Sequence, residues 1–204
     1  MADKPAGVSS VPDGGVNGPS LPELLRAQGL RVVPVHRLDR EVSGAVLFAL
    51  DEAMRDELVE LFRARAVRKT YWALAQGRVR PAEGAWHFPI LEEGTHARVS
   101  ALGQKSLTRY RTLEALPSTS AVEVDLVTGR YNQIRLHFAH AGYPLVGERK
   151  YARGKDSPVR IRSRRVALHA WRIELTHPAS GSHLRVEAPL PADLRELLER
   201  ARSG

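Results

Sequence analysis

Hydrophobic positions recur along this chain with two periods, near every three to four residues in some stretches and every second residue in others. The first period predicts helices and the second strands. In "DEAMRDELVELFRAR", Met54, Leu58, Leu61 and Phe62 share one helical face, and Asp51 stands where it caps the first turn. "NQIRLHFAHAG" has helical spacing through Ile134, Phe138 and Ala141, with Gly142 as its stop. "PADLRELLERA" closes the chain as an amphipathic helix. A shorter helix is predicted in "SLPELLRAQG", capped by Ser20, with Pro22 early and Gly29 ending the run.

The period of two appears elsewhere. "GAVLFAL" reads as one short apolar strand. "VRKTYWALAQGRV" alternates, placing Val67, Lys69, Tyr71, Ala73 and Ala75 on one face and Arg68, Thr70, Trp72 and Leu74 on the other. "SLTRYRTLEAL" and "SAVEVDLV" are two strands joined by the turn residues "PSTS", and "VALHAWRIELTH" and "HLRVEA" flank "PASGS" as a hairpin. Strands outnumber helices and hairpins join them, so the expected fold is α+β, with a mixed, mostly antiparallel sheet and flanking helices. Residues 1–34 are rich in Gly, Pro and Ser and form an arm or loop region. No repeat or linker divides the rest, and residues 1–204 are expected to fold as one domain.

Composition narrows the class. The chain has 204 residues, 43% of them hydrophobic, enough to bury a core. Lys and Arg number 31 against 23 Asp and Glu, a net charge of +8 that favours an anionic partner such as nucleic acid or an acidic membrane surface. The segment "RKYARGKDSPVRIRSRR", Arg149 to Arg165, concentrates that charge among Gly, Pro and Ser, and a phosphate backbone is its natural guest ahead of an acidic protein. There is no cysteine, so disulfides and thiolate chemistry are excluded. No apolar run reaches the ~18–20 residues that span a bilayer, and the first residues carry no secretory pattern. A cytoplasmic protein is expected.

Several reagents fall away. "GQKS" and "RGKDS" lack the spacing of a phosphate loop. His137 and His140 lie three apart on a helix, but no further ligand stands near them in sequence, so no metal site is expected. Ser43 lacks the hydrolase nucleophile turn. Asp51-Glu52 and Glu92-Glu93 read as surface or capping acids.

What remains is "PVHRLDREVSG", "RKTYWALAQG" and "VTGRYNQIRLH". "HRLDREVSG" resembles the signature His-Arg-Leu-Asp-x-x-Thr-Ser-Gly of the RluA-type pseudouridine synthases. "RKTYWALAQG" is similar to that family's Lys-x-Tyr-x-Ala block, and "TGRYNQIRLH" with "GYPLVGERKY" to its third block. "DKPAG" near the N-terminus and "RVALHAWRIELTHP" fall in the expected order, so the resemblance covers nearly the whole chain.

The resemblance implies a catalytic domain built around a central RNA-binding cleft and an enzyme that isomerises uridine in ribosomal or transfer RNA without cofactor or metal. Uracil must be detached from ribose, turned, and rejoined through ring carbon 5, chemistry that needs a carboxylate as nucleophile or base. Asp39 matches the catalytic aspartate, Arg135 the arginine paired with it, and Tyr71 the tyrosine that stacks on the target base. The uridine has to be flipped out of its stack, and Arg37 matches the arginine that fills the gap. Arg40, Lys69, Arg130 and the Arg149–Arg165 segment are candidates for phosphates. His36 and Gln133 are placed at the substrate pocket, supporting its shape by hydrogen bonds.

Departures from the pattern carry expectations too. Val42 replaces Thr, with loss of a hydroxyl. Tyr131-Asn132 replaces Thr-His before Gln133 and alters local contacts. The chain starts two residues before "DKPAG", so a strand preceding that motif is expected to be missing, and no separate S4-like RNA-binding domain is expected. A monomer acting on RNA is the working expectation, and its alternative is an inactive RNA-binding or ribosome assembly protein on the same fold.

Overall fold

The structure is a computed structural model and describes residues 1–13, 18–94, 96–152 and 161–204. The middle of the basic segment, residues 153–160, and with it "RGKDS", lies outside the described residues.

In chain order the elements are β1 (Ala2–Lys4), α1 (Leu21–Ala27), β2 (Val33–Pro34), β3 (Ser43–Val46), β4 (Phe48–Ala49), α2 (Glu52–Arg63), β5 (Arg68–Gln76) and β6 (Glu83–Trp86). They continue with β7 (Ile90–Glu93), β8 (His96–Val99), β9 (Thr108–Ala115), β10 (Thr119–Leu126), α3 (Gln133–His140), β11 (Leu168–Thr176), β12 (His183–Glu187) and α4 (Ala192–Ser203). The class is α+β. Two compact units contain them, Met1–Lys69 with His169–Pro189, and Thr70–Leu168 with Leu190–Gly204.

In the first unit β1 runs antiparallel to β3, β3 parallel to β11, and β11 antiparallel to β12. The parallel pairing makes the sheet mixed. It also brings two backbones very close at Gly44, whose φ is +117°, and a Cβ there would lie 2.2 Å from the Ala170 carbonyl oxygen. "GAVLFAL" is two strands and not one. Leu47 stands at the break, where its N–H donates to His36 Nε2 at 2.8 Å, and β4 then pairs with β2.

Helix α2 is the predicted one. Asp51 Oδ1 accepts the Met54 N–H at 2.8 Å. Leu58 is buried with Ala45, Ala49, Val67, Ile173 and Leu175, and Met54, Leu61 and Phe62 pack against them. α1 likewise follows its signals, with a capping box between Ser20 and Glu23.

In the second unit the antiparallel order is β5-β10-β9-β6. β7 and β8 form a separate hairpin. Strand β5 is buried continuously from Thr70 to Ala75, so both faces of its alternating pattern belong to the core. Helix α3 departs further from expectation. Every residue from Gln133 to Phe138 is buried, so the helix is interior, with three polar side chains that need partners inside the protein. In α4, Leu194, Leu197 and Ala201 form the buried stripe.

Candidate active site

The loop between β2 and β3 presents Asp39, and its two neighbours are anchored to the N-terminal residues. Leu38 N–H donates to Ser10 Oγ at 2.9 Å, and the same hydroxyl donates to Leu38 O at 2.7 Å. On the other side, Arg40 O accepts from Gly7 N at 2.8 Å and from Lys4 Nζ at 3.1 Å, while Arg40 Nε donates to Gly7 O at 2.6 Å. Lys4 is fully buried, and its ammonium also donates to Pro5 O and Val8 O. Asp39 O accepts the Val42 N–H at 3.0 Å, closing the turn. Asp39 is therefore a half-buried carboxylate on a loop fixed on both sides. Arg40, expected at phosphate, has its Nε committed to Gly7, and Arg37 is exposed.

Val42, where the resembling signature has Thr, is 2% exposed. A hydroxyl there would itself be buried and need a partner, so Val is a coherent choice. Ser43 Oγ lies 2.9 Å from His169 Nδ1, and His169 Nε2 lies 3.1 Å from Ala188 O. A carbonyl only accepts, so Nε2 carries the proton and Nδ1 accepts from Ser43.

His36 is a brace. Its Nε2 accepts from Leu47 N–H, so the proton sits on Nδ1, and the ring stacks on Phe62 with centroids 4.7 Å apart. Burial, then the charge of Lys69, pushes its pKa down to about 3. Lys69 Nζ lies 5.8 Å from the Phe62 ring centroid, which gathers Lys69 with His36 in the same unit.

In the second unit, Tyr71 is buried on β5 opposite Val124 of β10. Arg135 lies on α3, and its guanidinium forks onto Glu148, Nε to Oε2 at 2.6 Å and Nη2 to Oε1 at 2.9 Å. Glu148 carries no exposed side-chain surface. Burial alone would raise its pKa, but Arg135 and the N–H groups of Lys150 and Tyr151 hold the carboxyl below the usual range.

Gln133 commits its whole amide to the protein. Oε1 accepts from Thr128 Oγ1 and Arg130 N, and Nε2 donates to Leu107 O and Thr108 Oγ1. It shapes the site as a rigid pin. Arg130 differs, since its buried Nε has no hydrogen-bond partner among the described residues. An unpaired desolvated guanidinium N–H suits an external anion.

The pair Tyr131-Asn132 now has a structural account. Asn132 caps α3 in the left-handed region at φ +53°, which Asn tolerates, and its Nδ2 donates to the Tyr151 hydroxyl at 2.7 Å. Tyr131 N–H donates to Glu92 Oε1 at 3.0 Å. Lys150 Nζ lies 5.0 Å from the Tyr131 ring and 5.5 Å from the Tyr151 ring.

His137 is fully buried, with Nε2 2.9 Å from Phe88 O and 3.0 Å from Ser106 Oγ. Among the described residues no group of three or more His, Asp or Glu is arranged to hold a metal.

The structure thus gathers His36, Arg37, Asp39 and Arg40 on one loop of the first unit, and Arg130, Gln133 and Arg135 at α3 of the second. Sequence reasoning missed Lys4, Ser10 and Glu148. Only Glu148 left a signal, as the one acid in "GERKY".

The α+β fold is shared with solved pseudouridylate synthase domains. A human protein titled RNA Pseudouridylate Synthase Domain Containing 4 superposes with a TM-score of 0.79 over 98% of this chain and 88% of its own, at 24% identity. In sequence, residues 1–140 match the family model described as RNA pseudouridylate synthase. An uncharacterized RNA pseudouridine synthase of Mycobacterium bovis is 36% identical over 97% of this chain and 68% of its own length. Ribosomal large subunit pseudouridine synthase D of Nitrosomonas europaea is 36% identical over 100% of this chain and 62% of its own. Synthase C of Vibrio cholerae is 32% identical, over 100% and 67%. The chain therefore belongs to the RNA pseudouridylate synthase family, and it is an isomerase whose substrate is RNA.

Proposed function

We propose that the protein isomerises particular uridines of ribosomal or transfer RNA with Asp39 as the reacting carboxylate. Supporting this is one observation above the rest. The residue that matches the signature aspartate sits on a loop whose flanking residues are tied down by Ser10, Gly7 and buried Lys4. Such preorganisation is what a reagent needs and a surface ion pair does not. Ribosomal RNA is the better supported substrate, because relatives at 36% and 32% identity are titled ribosomal large subunit synthases.

In the proposed reaction the bond between uracil N1 and ribose C1′ breaks and a bond from uracil C5 to C1′ forms. The proton on C5 leaves and N1 gains one, so composition is unchanged and neither oxidant nor group donor is required. Asp39 acts as nucleophile or base, Arg135 holds the developing negative charge, and the Tyr71 ring packs against the base. Arg37 fills the space left by the flipped uridine, while Arg40, Lys69 and Arg130 serve the phosphates. The working form is a cytoplasmic monomer without metal or cofactor.

The test is release of tritium from RNA labelled at uracil carbon 5. Wild type is expected to release label from total RNA of the source cell, and Asp39→Ala to release none while still binding RNA. Equal release by both would refute the role of Asp39, and release by neither would favour a protein that binds RNA without modifying it.

A further inference from the structure

We infer that Glu148 is a positioning residue for Arg135, fixing the direction in which its guanidinium serves the isomerisation. This rests on the role given to Arg135 above. The two oxygens of Glu148 take one edge of the fork, Nε and Nη2, at 2.6 and 2.9 Å. That pairing sets both the plane of the guanidinium and the bearing of its remaining Nη1.

The carboxylate is itself immobilised. Oε1 accepts backbone N–H groups from Lys150 at 2.7 Å and Tyr151 at 3.1 Å. The turn that delivers Glu148 closes from its own N–H to Leu145 O at 3.0 Å and passes through Gly147 at φ +81°. A Cβ at Gly147 would lie 2.1 Å from Arg165 O, so the backbone has little room to relax there. A second support comes from Tyr151, whose ring centroid lies 5.6 Å from the Arg135 guanidinium carbon and whose hydroxyl is held by Asn132. Arg135 is thus held along one edge by a carboxylate and approached by an aromatic ring.

Stability does not explain such a pair. A buried ion pair gives back in attraction roughly what desolvation takes, and apolar residues of the same volume serve a core as well or better. Its use is orientation, since a bidentate guanidinium–carboxylate contact is the most directional pairing available to Arg. The rate is where this shows, because misplacing a reacting group by about 1 Å costs on the order of a hundredfold.

The experiment compares wild type with Glu148→Asp, Glu148→Gln, Arg135→Lys and the double variant Glu148→Asp/Arg135→Lys. Single-turnover tritium release from labelled total RNA is measured alongside RNA affinity by filter binding at fixed salt and a melting curve for each protein. Glu148→Asp and Glu148→Gln are expected to lower the single-turnover rate by about 10–100-fold, with RNA affinity within about threefold of wild type. The double variant is expected to be no slower than Arg135→Lys alone, because Glu148 acts through Arg135.

A folded Glu148 variant with the wild-type rate overturns the inference, as do losses that multiply in the double variant or a rate loss matched by lost affinity. If neither Glu148 variant folds, the pair serves the fold and the inference also fails. Should Arg135→Lys turn over at the wild-type rate, the reading of Arg135 falls and takes this inference with it. A slow Arg135→Lys beside a fully active Glu148→Asp would sink the positioning role alone.

Discussion

Acidification should destabilise this protein well above the pH at which its carboxylates titrate, and two histidines are the cause. His36 Nε2 accepts the Leu47 N–H at 2.8 Å and His137 is fully buried, so both are neutral in the folded chain. Their pKa values are pushed from 6.5 to about 3 and about 4, in each case by burial first. For His36 the Lys69 charge adds to this. For His137 the hydrogen bond to Phe88 opposes it, and His140 and His87 add smaller depressions. The unfolded chain protonates both near 6.5 and the folded chain does not. The unfolded state therefore binds more protons, and stability rises with pH across that window.

Stability is fully present above about pH 7.5 and is lost as pH falls through 6.5 towards the folded values. Between pH 7.5 and 5 each histidine should remove about 2 kcal/mol, together about 4 kcal/mol. That is a large share of the ~5–15 kcal/mol that holds a typical domain. The assay is urea unfolding at several pH values for wild type and for His36→Gln, whose Oε1 still accepts the Leu47 N–H but does not titrate. The variant should lose close to half of the pH dependence. Equal slopes in the two proteins would show that His36 is not the neutral brace described.

Other perturbations test single contacts. Gly44→Ala would place a Cβ 2.2 Å from Ala170 O at φ +117°, and should destabilise by about 2–5 kcal/mol in urea unfolding; a loss under about 1 kcal/mol would mean the strands separate easily. Gln133→Leu removes the acceptor of the Thr128 hydroxyl and the Arg130 N–H and the donor to the Thr108 hydroxyl, and should cost about 2–4 kcal/mol, read from the same curves. Arg130→Ala should weaken RNA binding evenly across sequences and reduce the log–log salt slope by about 1; an unchanged slope would remove Arg130 from the phosphate contacts.

How far the sequence carried differs by element, for physical reasons. α2 and α4 were legible because each keeps a wet face, and burial of only one face is what writes a period into a sequence. α3 was located by the same rule, but its environment was not, because a helix buried from Gln133 to Phe138 no longer alternates between core and solvent. Strands β6, β7 and β8 escaped notice. Each is only four residues long, too short for a period of two to declare itself in the sequence, although the burial of β6 and β8 does alternate.

The candidate site shows the same division. Asp39, Tyr71 and Arg135 could be singled out because each lies in a contiguous motif, whereas the contacts around them join distant positions. Ser10 reaches Leu38 across 28 residues, Lys4 reaches Arg40 across 36, and Arg135 meets Glu148 across 13. Nothing local distinguishes Lys4 from a surface charge, and Glu148 stands out only as the one acid in "GERKY". Their significance comes from complete burial, which only the fold reveals. A lysine whose ammonium donates to three carbonyls and a glutamate whose carboxylate takes four donors are costly to build. Both stand directly behind the residues proposed to react, Lys4 bonding the backbone next to Asp39 and Glu148 the side chain of Arg135. On the proposed reading, the burial of Lys4 and Glu148 serves the orientation of Asp39 and Arg135.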